Sequence, residues 1–117
     1  MPRRTEPEPY AATVGARVRE LRLERNMSLA DLANAGGLSK GHLSSVERGF
    51  AAMTIESIER IAKALDLRPL DLLALPTEDE RAHVMDLVRQ LPASEVKKLR
   101  RELTKTAQAA ARAQPAR

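Results

Sequence analysis

Residues 28–54 read SLADLANAGGLSKGHLSSVERGFAAMT, and this stretch decides the fold. Ser28 stands three residues before Asp31, so hydroxyl and carboxylate can satisfy each other's backbone N–H groups and start a helix. Leu29, Leu32 and Ala33 give that helix an apolar face, and Gly36-Gly37 ends it by supplying a residue free to take positive φ. Leu38 follows as an apolar plug, and Ser39 caps a second short helix with Leu43 and Val46 turned inward. Arg48-Gly49 repeats the exit chemistry, and Thr54 caps the helix that comes next.

Outward from this stretch the same periodicity continues. Val14, Val18 and Leu21 are spaced four then three apart, which predicts a first helix from about Val14 to Arg25. The helix after Thr54 has Ile55, Ile58, Ile61, Ala62 and Leu65 as its inward set. Pro69 suits the first position of a short fifth helix with Leu70, Leu72 and Leu73 inward. No strand-like alternation occurs, so the expected fold is all-α. Residues 1–11, with three prolines among charges, read as a disordered arm, and 12–75 as a five-helix unit. In the arm, Arg3 and Arg4 either touch a phosphate backbone or belong to a solubilising tail.

After Pro76, Thr77-Glu78-Asp79-Glu80 reads as a capping box opening a sixth helix to about Gln90. Pro92 imposes a bend before a seventh helix, so 76–113 forms a two-helix hairpin. The Ala-rich end is expected to fray from Ala107, with 114–117 as a loose tail. Val84, Leu87, Val88, Leu91, Val96, Leu99 and Leu103 make one apolar stripe per helix. Two helices with one stripe each cannot bury enough surface to fold alone, so the hairpin must dock either on its own five-helix unit or on a second copy. The second arrangement would place two copies of the unit side by side. Lys97-Lys98 and Arg100-Arg101 then lie on the outer face of the seventh helix, either solvated or as an extra DNA contact.

Composition removes whole classes of function. With no cysteine there is no disulfide framework, no thiolate nucleophile and no zinc–thiolate site. His42 and His83 are far apart, and neither has carboxylates at ligand spacing, so no metal site, no cofactor and no enzyme chemistry is expected. The arginines near the start precede no apolar core of a signal peptide, and apolar runs are only a few residues long. A cytoplasmic, nucleoid-associated protein with no membrane partner is therefore expected. The net charge is +4, but Thr13 to Leu75 carries nine basic against eight acidic residues, and the excess lies in the tail after Glu95. Charge alone is thus a weak pointer to nucleic acid.

Two short serine-capped helices joined by Gly36-Gly37-Leu38 have the form of a helix-turn-helix, whose second helix enters the DNA major groove. Residues 14–75 resemble the XRE-type (lambda and 434 repressor/Cro-like) DNA-binding domain throughout. The resemblance is carried by Leu21-Arg22, Ser28, Leu32-Ala33, Gly37, Leu43-Ser44, Val46-Glu47, Gly49 and Ile61-Ala62-Lys63-Ala64-Leu65. The run from Ser39 to Arg48 is especially similar to SinR-type repressors.

The resemblance implies a recognition helix over 39–48 that reads bases with Lys40, Gly41, Ser44 and Ser45 on an exposed early face. It also implies an Arg22–Glu47 pair tying the first helix to the recognition helix. Lys40 can donate to guanine, and Gly41 permits close approach. His42 is either a DNA contact or a residue packed on the domain. Many relatives carry glutamine and basic residues where this chain has Leu29 and Phe50-Ala51-Ala52. Phosphates are then left to the helix N-termini at Ser28, Ser39 and Thr54, to Arg48, and to Arg17 or Arg19. Phe50 either touches the sugar–phosphate edge or packs on the fourth helix. The expected function is a sequence-specific transcriptional regulator, a repressor, acting on double-stranded DNA as a homodimer or higher oligomer. The alternative is a protein-interaction module, antitoxin-like or controlled by an antagonist protein bound at the hairpin.

Overall fold

The first helix begins earlier than its apolar periodicity indicates. In the computed structural model, which describes residues 5–114, α1 spans Pro9–Glu24. Glu8 caps it by accepting from the N–H groups of Tyr10 at 3.1 Å and Ala11 at 2.6 Å, and Pro9 takes the first position, where its missing N–H costs nothing. The arm expected over 1–11 is therefore shortened at its end: a cap at Glu8, six residues ahead of Val14, extended the helix, and periodicity could not register it. Arg3 and Arg4 lie outside the described residues.

The helices α2 (Leu29–Gly36), α3 (Lys40–Glu47), α4 (Ile55–Ala64) and α5 (Pro69–Leu73) follow, then α6 (Glu80–Val88) and α7 (Ala93–Ala113). Among the described residues there is no strand. Ser28 and Asp31 form the reciprocal cap of α2 at 3.0 and 2.9 Å. Gly37 ends α2 at φ +66°, which lets the Leu38 N–H reach back to the Ala33 carbonyl at 2.8 Å. Asn26 and Asp66, residue types that tolerate the left-handed region, turn the chain just past α1 and α4 at φ +55° and +57°.

Val18, Leu21, Leu32, Leu43, Val46, Ile61, Leu65 and Leu72 are fully buried in one core drawn from α1 to α5. Truncating a side chain such as Leu43 to alanine there costs about 2–5 kcal/mol. Three expected core residues are elsewhere. Ile55, the first residue of α4, is 87% exposed, because the helix has not yet turned its face onto the core. Of the three α5 leucines only Leu72 is buried; Leu70 and Leu73 flank it on a helix too short to hide all three.

The hairpin also differs in detail. Pro76 to Glu78 form a turn, and α6 is capped by Asp79, whose carboxylate accepts from Ala82 N–H at 2.7 Å; Thr77 plays no part in the cap. The helix α7 continues to Ala113 without fraying at Ala107, in keeping with the high helix propensity of its alanines.

Candidate nucleic-acid interface

Two contacts fix α3 from behind. Arg22 on α1 grips Glu47, the last residue of α3, with Nε donating to Oε2 at 2.8 Å and Nη2 to Oε1 at 2.9 Å. Nη1 spends its proton on the Met27 carbonyl at 3.0 Å, so one side chain also secures the turn into α2. These bonds to Glu47 hold the Arg22 guanidinium above its already high ordinary pKa. The second contact is backbone on backbone: a Cβ at Gly15 would stand 2.2 Å from the Val46 carbonyl oxygen and 2.7 Å from that of Glu47. Only glycine lets α1 and α3 approach so closely. Sequence reasoning passed over Gly15; its one signal is a glycine inside a strongly periodic helix.

Held this way, α3 turns Leu43 and Val46 into the core and its first turn outward. Lys40, Gly41 and His42 are exposed, and Ser44 is half-buried. Ser39 caps the helix by accepting from His42 N–H at 3.1 Å. Ser45 departs from the expected exposed face: it is 8% exposed. One residue from Val46 and two from Leu43, it lies at the margin of the buried face, where Ala51 and Ala52 come up beside it.

The exposed caps Ser28 and Thr54 open α2 and α4. Arg48 is exposed, with its guanidinium carbon 5.5 Å from the centroid of the half-buried Phe50 ring, a cation–π arrangement that steadies the charge without neutralising it. Arg19 is exposed and shares a shallow depression with Ser44 and Arg48. Arg17 is not available to phosphate. It is 3% exposed and engages Glu20, the Asp71 carbonyl and Asp86.

That engagement docks α6 on the five-helix unit. Asp86 accepts from Arg17 and, at 2.8 Å, from Arg89, whose other nitrogens reach Glu24 at 3.2 Å. The partners are 65 and 69 residues apart, and no local pattern announces them. On α6, Val84 and Leu87 stay exposed, as do Leu91 beyond it and Leu103 on α7; Val88, Val96 and Leu99 are half-buried. The 21 residues of α7 include no buried one. Among the described residues no helix is long and apolar enough to cross a membrane.

A helix-turn-helix family model matches residues 18–73. The control protein C.BamHI of Bacillus amyloliquefaciens is 41% identical over 64 residues, covering 54% of this chain and 79% of that protein. The transcriptional regulator SinR of Bacillus licheniformis is 34% identical over 91 residues, 73% of this chain and 82% of that protein. Among solved structures, the restriction-modification controller protein C.AhdI of Aeromonas hydrophila superposes with a TM-score of 0.55 at 34% identity, over 56% of this chain and 98% of that one.

Proposed function

The chain belongs to the XRE-type helix-turn-helix family, and from that premise we propose that it is a sequence-specific transcriptional repressor that binds an inverted-repeat operator as a dimer. The observation that carries this reading is the presentation of α3. Its base is clamped by Arg22 and Gly15, while Lys40, Gly41 and His42 at its first turn face solvent. A rigid helix with one open end suits insertion into a major groove.

In this reading Lys40 and Ser44 contact base edges, with Ser45 in the recess beside them. Ser28, Ser39 and Thr54 offer helix N-termini to phosphates, helped by Arg48 and Arg19, and Phe50 supports Arg48. Few of these contacts are full charges, so affinity per unit is modest and falls gently with salt. A second copy then raises affinity, and the stripe from Val84 to Leu103 is the surface we assign to pairing. Residues 12–75, lengthened by the first turn of α1, form the DNA-binding unit, and 76–113 the pairing hairpin.

The same exposed stripe favours a second reading, in which an antagonist protein occupies the hairpin and DNA binding is secondary. Selection of bound duplexes from a random library at ~0.15 M salt, where nonspecific phosphate binding is weak, tests the main reading. An enriched inverted repeat with half-site centres about 34 Å apart, or a multiple of that, is expected. A folded protein that enriches nothing overturns it.

A further inference from the structure

We infer that the recess between α3 and the start of α4 is a thymine-reading subsite, which takes the C5-methyl group against Gly41, Ala51 and Ala52 and the O4 atom on the Ser45 hydroxyl. This inference rests on the DNA-binding reading and names the base that the recognition helix selects.

The recess is an open hollow of about 350 Å³ between Gly41, His42 and Ser45 on α3 and Ala51, Ala52, Thr54 and Ser57 on the loop and α4. Its near wall is low because Gly41 has no side chain: a Cβ built there meets nothing within 4 Å. The loop contributes only methyl groups at Ala51 and Ala52. His42 and three hydroxyls line the rest, and two of the hydroxyls are already spent. Thr54 donates to Ser57 at 3.1 Å, and Ser57 donates to the Thr54 carbonyl at 3.0 Å. Ser45, 8% exposed as a residue, lines the recess, and no group of the described residues takes a hydrogen bond from its hydroxyl. By contrast, hydroxyls elsewhere on these helices, such as Thr13 and Thr104, bond back to the carbonyl four residues earlier. The Ser45 oxygen is not among the sealed, unpartnered atoms, so it stays open to a group that enters the recess.

The major-groove edges of the bases decide which ligand fits. Thymine alone presents an apolar methyl beside a carbonyl acceptor; cytosine offers an amino donor and no methyl, and both purines place hydrated polar atoms where the alanine walls would be. A methyl against Ala51 and Ala52, with O4 on Ser45, satisfies both halves of the recess at once.

The test uses full-length protein and the operator recovered by selection. Each thymine of a half-site is replaced singly by deoxyuridine, which removes only the methyl, and the Kd is measured. One position per half-site is expected to lose about fourfold, the worth of one buried methyl. Gly41→Leu, which fills the mouth of the recess without touching the core, should bind thymine and uracil operators equally at that position. Ser45→Ala should weaken both and leave their ratio unchanged. Tight operator binding with no sensitivity to deoxyuridine anywhere overturns the inference, as does a loss seen only when a neighbouring phosphate is made neutral by a methylphosphonate. Failure to recover any operator overturns the DNA-binding reading, and this inference with it.

Discussion

Arg22 and Glu47, 25 residues apart, meet side-on with two parallel hydrogen bonds of 2.8 and 2.9 Å, both side chains nearly sealed from water. The geometry is the planar fork that arginine makes with a carboxylate and lysine does not. Its consequence is positional: the last residue of α3 is bolted to α1, and the first turn is left exposed. A pair this dry is worth little as net stability, because desolvation offsets its attraction, but it is expensive to break on one side.

Replacing Arg22 with methionine should therefore destabilise the protein by about 3–5 kcal/mol, because Glu47 is left charged and buried. The double variant Arg22→Met, Glu47→Leu should recover most of that loss. Urea unfolding of the three proteins checks it; a double variant no better than the single one would show that the pair does more than neutralise itself.

The two glycines of this region should respond to alanine with opposite signs. Gly15→Ala drives a methyl into the Val46 and Glu47 carbonyls, and such overpacking costs about 1–3 kcal/mol even after alanine's helix preference. Gly41→Ala enters open space and should stabilise α3 by up to about 1 kcal/mol. Thermal melts followed by circular dichroism decide it. Equal responses would mean that α1 can shift away from α3 at no cost.

Much of the fold was legible because helix starts and stops are local chemistry. Ser28 with Asp31, Gly37 at positive φ, Ser39, Thr54 and Pro69 each lie within four residues of what they control. What escaped reading was set by distant chain. Arg17 reads as a surface cation on a periodic helix, yet Asp86, 69 residues on, buries it. Ser45 reads as outward from helical phase alone, but it lies at the margin of the buried face with the loop after Gly49 beside it. Ile55 reads as core by spacing, although a first-turn residue projects before the helix meets its neighbours. In the interface the positions of Lys40, Gly41 and His42 followed from Ser39, while their rigidity depends on Gly15, which no pattern marked.

Acid should loosen α6 before the core. Burial favours the neutral form of Asp86, but the hydrogen bonds from Arg17 and Arg89 outweigh it and hold the carboxyl below its ordinary range. A depressed pKa contributes stability that is present above the unfolded value, about 3.9, and is lost as pH falls through the folded value. Wild-type stability should therefore drop with acid below about pH 4. Asp31, held low by the Ser28 N–H, adds to the same drop, so the comparison is with Asp86→Asn. That variant should start about 2 kcal/mol less stable, having lost charged hydrogen bonds, and lose less on acidification. Urea midpoints across pH, with amide exchange in α6, report both effects. Parallel pH curves for the two proteins would remove Asp86 from the account.

A set of ion pairs ties the hairpin to its own unit, and part of its apolar stripe stays uncovered. Arg17, Asp86, Arg89 and Glu24 hold α6 in place, while Leu87 and Leu103 remain 51% and 52% exposed. A stripe that contributed to the monomer's fold would be covered within the monomer. Substituting Leu103 with glutamate should thus leave the thermal unfolding of dilute protein within about 0.5 kcal/mol of wild type, and abolish self-association. Sedimentation velocity should show wild-type protein at twice the 12.9 kDa chain mass and the variant at that mass. Operator affinity should fall with it, because the variant must bring two separate units to one duplex. A variant that stays dimeric would move the pairing surface away from α7. A wild-type chain that is itself monomeric, yet binds a protein partner through Leu103, would favour the antagonist reading over pairing.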